Sequence, residues 1–159
     1  ERRKSCIIVL NILLESLSKW FAPILSFTTE EIFKLINKDE KSIHLEKFMK
    51  FPKFFENDQL NKKWIELKKI RDVCNVSIET KRASKEIGSS LEANLVISLN
   101  KNLKELTKDI DMSELCITSA VEIIESTNND TTVQTKKAVG EKCVVCWKII
   151  KNGCLRHKN

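Results

Sequence analysis

The sequence predicts a mainly α-helical chain that passes into a small α/β module and ends in a zinc knuckle. Three observations point there. The 159 residues include only 3 Gly and 2 Pro, too few turn formers for an all-β fold with many tight turns. Apolar residues recur at steps of three and four as far as about residue 88, then give way to short β-branched runs. Cys143, Cys146, Cys154 and His157 form a C-x-x-C pair and a C-x-x-H pair near the end of the chain. The expected organisation is a helical domain over 1–88, an α/β module over 89–139 and the knuckle over 140–159.

Taken in order, Ile7, Leu10, Leu14, Leu17 and Phe21 define one wide helical face over 5–21. Pro23 ends that helix, because its ring disfavours helical geometry at Ala22. Thr28 and Glu31 read as a capping box that opens a second helix over about 29–37. The acidic pair Glu30 and Glu31 then sits at a helix start, where the macrodipole explains it. Residues 39–57 read as a loop broken at Pro52. Its anchors Ile43, Leu45, Phe48, Phe51, Phe54 and Phe55 are expected to pin it to a helical core. His44 lies there without a partner pattern and reads as structural or solvated.

A long helix over about 58–87 carries Leu60, Trp64, Leu67, Arg71, Cys74 and Ile78 down one face. Gly88 is expected as the left-handed residue after its end. Another face carries Lys62, Lys69, Arg71, Arg82 and Lys85, which is either simply solvated or in contact with phosphate. Beyond it, 95–99 predicts a strand and 103–109 a short helix. One or two further strands are expected over 115–124, then a turn over 126–132. A last strand over 133–139 leads into Gly140 and the knuckle.

The net charge of +6 is concentrated at one end. From Lys136 onward seven Lys and Arg face one acid, Glu141, which leaves 21 basic and 21 acidic residues before it. Such a cationic tail suits a polyanion such as nucleic acid; a merely solvated Lys-rich tail is the alternative. No apolar run approaches the ~18 residues of a membrane span. The stretch 6–14 is interrupted by Asn11 and lacks a small-residue cleavage site, so a signal peptide is not expected. The chain does not begin with Met and opens inside a helical pattern, which suggests a piece of a longer protein. Of six cysteines, Cys6, Cys74 and Cys116 stand alone in apolar contexts, as small buried hydrophobes do. The others cluster with a histidine. That is the pattern of a reducing compartment with one metal site.

Zinc accepts sulfur and nitrogen donors in a tetrahedron, so Cys143, Cys146, Cys154 and His157 are a sufficient set. Four protein ligands leave no position for water, so this zinc is expected to be structural. A cysteine beyond Asn159 is the alternative fourth ligand. Trp147 and the cations Lys142, Lys148, Lys151, Arg156 and Lys158 surround the cluster, which gives it the look of a small nucleic-acid reader. Nothing here supports catalysis. The phosphate-loop, dinucleotide and nucleophile-elbow patterns are all missing from the sequence. The run 81–85 (K-R-A-S-K) lies inside a helix pattern and lacks the residues of an ATP-site signature loop.

Several stretches together resemble the C-terminal part of the isoleucyl-tRNA synthetases. The run 20–33 (W-F-A-P-I-L-S-F-T-T-E-E-I-F) resembles a helix-turn-helix of the anticodon-binding domain shared by class I synthetases for aliphatic amino acids. Residues 71–93 resemble the long helix of that domain, and 140–147 (G-E-K-C-V-V-C-W) the start of the terminal zinc module of the bacterial type. The resemblance implies an isoleucine–tRNA ligase that uses ATP and Mg²⁺ in a catalytic core lying upstream. This part would recognise the isoleucine-acceptor tRNA, as a monomer, in the cytoplasm or an organellar matrix. By the same resemblance the zinc ligands are Cys143, Cys146, Cys154 and His157, although the family usually places cysteine where His157 stands. Trp147 matches an aromatic at the anticodon; stacking there would contribute roughly 1–3 kcal/mol. Covering the knuckle is its other reading. The expected tRNA contacts, besides Trp147, are Lys142, Lys148, Lys151, Arg156, Arg71, Arg82 and Lys85. The competing functions are a non-enzymatic zinc-knuckle RNA- or ribosome-binding protein and a valyl-tRNA synthetase relative.

Overall fold

Residues Arg2–Phe21 form helix α1 and Ser26–Ile36 form α2. A tight turn joins them, with the amides of Ile24 and Leu25 both donating to the Phe21 carbonyl, at 2.9 and 2.7 Å. Ala22 keeps right-handed helical dihedrals (φ −52°, ψ −41°), so these turn bonds outweigh the preference that Pro23 imposes. The ladder stops because Pro23 has no N–H to give. The computed structural model describes residues 1–37, 41–128, 130–154 and 156–157. Asp39 and Glu40 of the expected loop, and Lys158 of the knuckle, lie outside the described residues.

The chain divides into two compact units, Glu1–Glu56 and Asn57–Asn159. That boundary falls inside the stretch that sequence texture assigns to one helical domain. In the first unit Ala22, Phe33 and Ile43 make a small buried cluster. The expected capping box is not formed. Helix α2 starts at Ser26, before Thr28, and Leu25 offers no side-chain cap. Thr29 instead donates to the Leu25 carbonyl at 2.9 Å, the back-bond that a buried hydroxyl makes inside a helix. Glu30 likewise does not serve the helix start. Its carboxylate accepts from the Ile43 amide and the Ser42 hydroxyl, both at 2.9 Å. Those two donors, the amide first, hold its carboxyl below the ordinary value.

Two further expectations are corrected here. The apolar stripe of α1 exists as a pattern, but Ile7, Leu10, Leu14, Leu17 and Phe21 are exposed, while Ser16 and Ser18 are buried. Of the expected loop anchors Ile43 is buried, whereas Leu45, Phe48, Phe51, Phe54 and Phe55 are exposed. Phe54 and Phe55 meet edge to face, with ring centroids 4.7 Å apart. The reason is supply. Two helices and a loop offer too little apolar surface to cover so many large side chains.

The second unit opens with α3 (Asp58–Ala83), capped by Asn57, whose side chain accepts from the Leu60 amide. Its buried face is Leu67, Ile70, Cys74 and Ile78; Leu60 and Trp64, one turn too early, stay exposed. The helix ends sooner than expected. Glu86 donates to the Lys81 carbonyl and Lys85 to Arg82, the paired bonds of a Schellman ending. The left-handed residue is therefore Lys85 (φ 59°), not Gly88.

Strand β1 (Ala93–Leu99) follows, then α4 (Lys101–Thr107), α5 (Met112–Leu115), β2 (Ala120–Glu125) and β3 (Thr132–Lys137). β1 is central, parallel to β2 and antiparallel to β3. Ala93, Leu95, Ile97 and Leu99 alternate into one core with the buried face of α3, Ile87, Met112 and Cys116. Helix makes up about half of the chain, with this small sheet beside it. Cys74 and Cys116 are buried as expected, whereas Cys6 is exposed. Among the described residues no helix is long and apolar enough to cross a membrane.

Candidate functional site

The terminal knuckle is built on a two-residue ladder. β4 (Glu141–Lys142) and β5 (Ile149–Ile150) pair antiparallel, with Glu141 opposite Ile150 and Lys142 opposite Ile149. The loop between them closes on itself. Cys143 donates its amide to the Lys148 carbonyl and accepts from the Trp147 amide, both at 2.9 Å. Trp147 completes the turn in the left-handed region (φ 63°). Gly140 is required where it stands. Its φ is +141°, and a Cβ there would lie 2.5 Å from the Ile150 carbonyl carbon and 2.7 Å from the Lys151 nitrogen. After β5 the chain returns, and the His157 amide donates to the Cys154 carbonyl at 3.2 Å.

The result is a convergence of four donors. One ligand atom from each of Cys143, Cys146, Cys154 and His157 lies within 4.8 Å of the others. The His157 Nδ1 is 3.6 Å from the Cys143 Sγ and 3.4 Å from the Cys154 Sγ. Cys146 and Cys154 sulfurs are 3.7 Å apart. A tetrahedron with metal–sulfur bonds of ~2.3 Å and a metal–nitrogen bond of ~2.0 Å has edges of about 3.5–3.8 Å. Those three separations therefore suit one metal ion, and the donor set is soft enough for zinc.

Backbone amides prepare the sulfurs. The amides of Cys146 and Val145 face the Cys143 thiol and bring it down to about 6. At Cys146 the Lys148 amide pulls in the same direction, but burial and the neighbouring thiols of Cys143 and Cys154 outweigh it and leave the group raised. A cation among crowded thiols relieves that conflict, because it favours the thiolate at every position.

The residues expected to meet RNA fall into distinct places. Lys142 and Lys151 are exposed at the hairpin. Trp147 is 61% exposed, so its indole presents an open face. Lys148 is half-buried and donates to the Ser113 hydroxyl at 3.2 Å. Arg156, largely exposed, lies 3.9 Å from Glu114. The other three belong to α3 and its end. Arg82 is paired with Glu79 at 2.7 Å, and Lys85 is exposed just past the helix. Arg71 is not on an open cationic face. It is half-buried, with its Nε shielded and without a hydrogen-bond partner among the described residues. Its charge, after the Cys74 hydrogen bond, helps hold the Cys116 thiol below its ordinary value. Arg71 was expected on two faces of α3 at once, and the more buried one wins.

One anchoring group was not visible from the sequence. Ser119 accepts the Ile149 amide at 2.6 Å and donates to the Leu91 carbonyl. Neither periodicity nor any motif marks a lone serine before a strand.

A helical pair, a long helix, a three-stranded sheet and a cationic knuckle whose four donors could hold a metal ion thus follow one another along the chain. The family described as the anticodon-binding domain of tRNA ligase matches residues 1–97, and the chain belongs to that family. Its relatives are isoleucine–tRNA ligases. The enzyme of Pelagibacter ubique is 65% identical over 159 residues, covering all of this chain and 18% of that protein. The enzyme of Bradyrhizobium diazoefficiens is 36% identical over 92% of this chain and 16% of its own length, and that of Bartonella henselae 34% over 93% and 16%. The chain thus spans less than a fifth of the length of these relatives.

Proposed function

We propose that this chain is the tRNA-recognition part of an isoleucine–tRNA ligase, a class I synthetase of the bacterial type. The observation that carries the reading is the match of all of this chain, at 65% identity, to 18% of an isoleucine–tRNA ligase, with the anticodon-binding family covering the first 97 residues. In this reading the partner is the isoleucine-acceptor tRNA, bound by a cytoplasmic monomer. Activation of isoleucine with ATP and Mg²⁺ belongs to a catalytic core outside these residues.

Cys143, Cys146, Cys154 and His157 would hold a structural Zn²⁺, whose contribution is to fix the hairpin, not to activate water. Trp147 would stack on a base, which its exposure allows, and Lys142 and Lys151 would neutralise phosphates. Filter binding tests the reading. The chain should prefer isoleucine-acceptor tRNA over the same tRNA with a swapped anticodon; equal weak binding to both would remove the anticodon role.

A further inference from the structure

The cations of the knuckle are of two kinds. Lys142 and Lys151 extend from the hairpin and are exposed. Lys148 turns inward. Its Nζ donates to the Ser113 hydroxyl, which donates in turn to the Asp111 carboxylate at 2.7 Å. Asp111 caps α5 and also accepts the amides of Ser113 and Glu114. Its carboxyl is held below the ordinary value by the Ser113 hydroxyl first, and by the charge of Lys148 among the lesser causes. Drawing Lys148 out to a phosphate would break this chain of bonds and separate it from a carboxylate, whereas Lys142 and Lys151 make no comparable side-chain bond among the described residues.

The next residue is tied down as well. The Ile149 amide donates to Ser119, Ser119 donates to the Leu91 carbonyl, and its own amide donates to Ala93 at 3.1 Å. Two consecutive residues of the hairpin are thereby fixed to both ends of segment 111–119. That segment is continuous with β2, which pairs with β1 in register. Trp147 immediately precedes the two pinned residues.

Resting on the function proposed above, we propose that Ser113 and Ser119 are positioning residues that aim Trp147 and the exposed lysines at the RNA, and that Lys148 serves this docking without contacting phosphate. The metal would close the knuckle; the two serines would orient it.

Salt-dependent binding of the full chain to isoleucine-acceptor tRNA, between about 50 and about 200 mM salt, separates the roles. Replacing a phosphate ligand flattens the log–log slope by about 0.7–0.9, and Lys151→Met should do so. Lys148→Met and Ser119→Ala should each weaken binding roughly three- to tenfold, the scale of one lost hydrogen bond, with the slope unchanged. Ser119→Thr, which keeps the hydroxyl, should restore it. A slope that falls with Lys148→Met as it does with Lys151→Met, or unaltered binding by Ser119→Ala, would overturn the proposal. Amide exchange supplies a readout independent of RNA. In Ser119→Ala the Ile149 amide should exchange faster while the Cys143 amide, bonded within the loop, stays protected; an Ile149 amide that stays protected refutes the docking. Failure of the wild-type chain to bind tRNA would overturn the functional reading and the RNA-directed role with it, and Ile149 exchange would still decide whether the serines dock the hairpin.

Discussion

Strand β1 and the terminal knuckle sit in the same unit and are held by different physics. β1 buries Ala93, Leu95, Ile97 and Leu99 completely against α3 and its neighbours. The knuckle buries none of its four donors; Cys143, Cys146, Cys154 and His157 are all only half-covered. Full burial of a Leu or Ile side chain stabilises by about 1.5–3 kcal/mol, so several such residues support the sheet without help. A two-residue ladder has no such reserve. Its order depends on a glycine, a few hydrogen bonds and the proposed metal.

The largest effect expected from this contrast is in the core. Leu95→Ala should cost about 2–5 kcal/mol, because the residue is sealed on all sides and the cavity cannot collapse. Urea denaturation followed by far-UV dichroism should show the whole second unit unfolding earlier, knuckle included. Gly140→Ala should do the converse. Both the left-handed φ and the approach to Ile150 and Lys151 oppose a Cβ, at roughly 2–4 kcal/mol. Here bound metal per chain should fall while the dichroism of the helices and sheet persists. Loss of both signals together would mean that the two regions are not separate.

A smaller effect of opposite sign is expected at Ile117. This β-branched residue holds φ 54° at the end of α5, where Thr118 donates to Ser113 and Ile117 to Glu114. The left-handed conformation costs a non-glycine residue roughly 1–2 kcal/mol, partly offset by the entropy that glycine loses on folding. Ile117→Gly should therefore stabilise the second unit slightly, by up to about 1 kcal/mol, seen as a higher urea midpoint. An unchanged or lowered midpoint would show that its exposed side chain has a packing role.

What the sequence made legible follows the same contrast. The β-branched run at 95–99 reported the central strand and the periodicity of Leu67, Cys74 and Ile78 the buried face of α3, although the alternating burial over Ala93–Leu99 is seen only in the structure. The pairing of C-x-x-C with C-x-x-H reported the donor set, because ligand geometry limits spacing. The stripe of α1 was equally periodic yet lies exposed, since a pattern states which face is apolar and not what covers it. The phenylalanines of the loop misled for the same reason. Gly88 gave way to Lys85 because the Schellman bonds, together with the Lys81–Glu86 ion pair at 2.8 Å, fix the ending three residues earlier. Ser119 was invisible, as hydrogen bonds across 28 and 30 residues of sequence leave no local signal.

The smallest predicted effect lies in the first unit. Glu30 has a lowered carboxyl pKa in the folded chain because it accepts from Ile43 and Ser42. Its contribution is then fully present above the unfolded value, 4.5, and is lost as pH falls through the lower folded value. An acid titration of the Ile43 amide resonance should show this step, and Glu30→Gln should abolish it. A step at the ordinary carboxyl value would mean that the loop contact is not maintained in solution.

The most direct test of the contrast is amide exchange of the full chain before and after a strong zinc chelator. The knuckle amides of Cys143 and Trp147 should lose protection on chelation, while those of β1 keep theirs. Unchanged protection at Cys143 and Trp147 would contradict the account, since the hairpin would then stand without its metal.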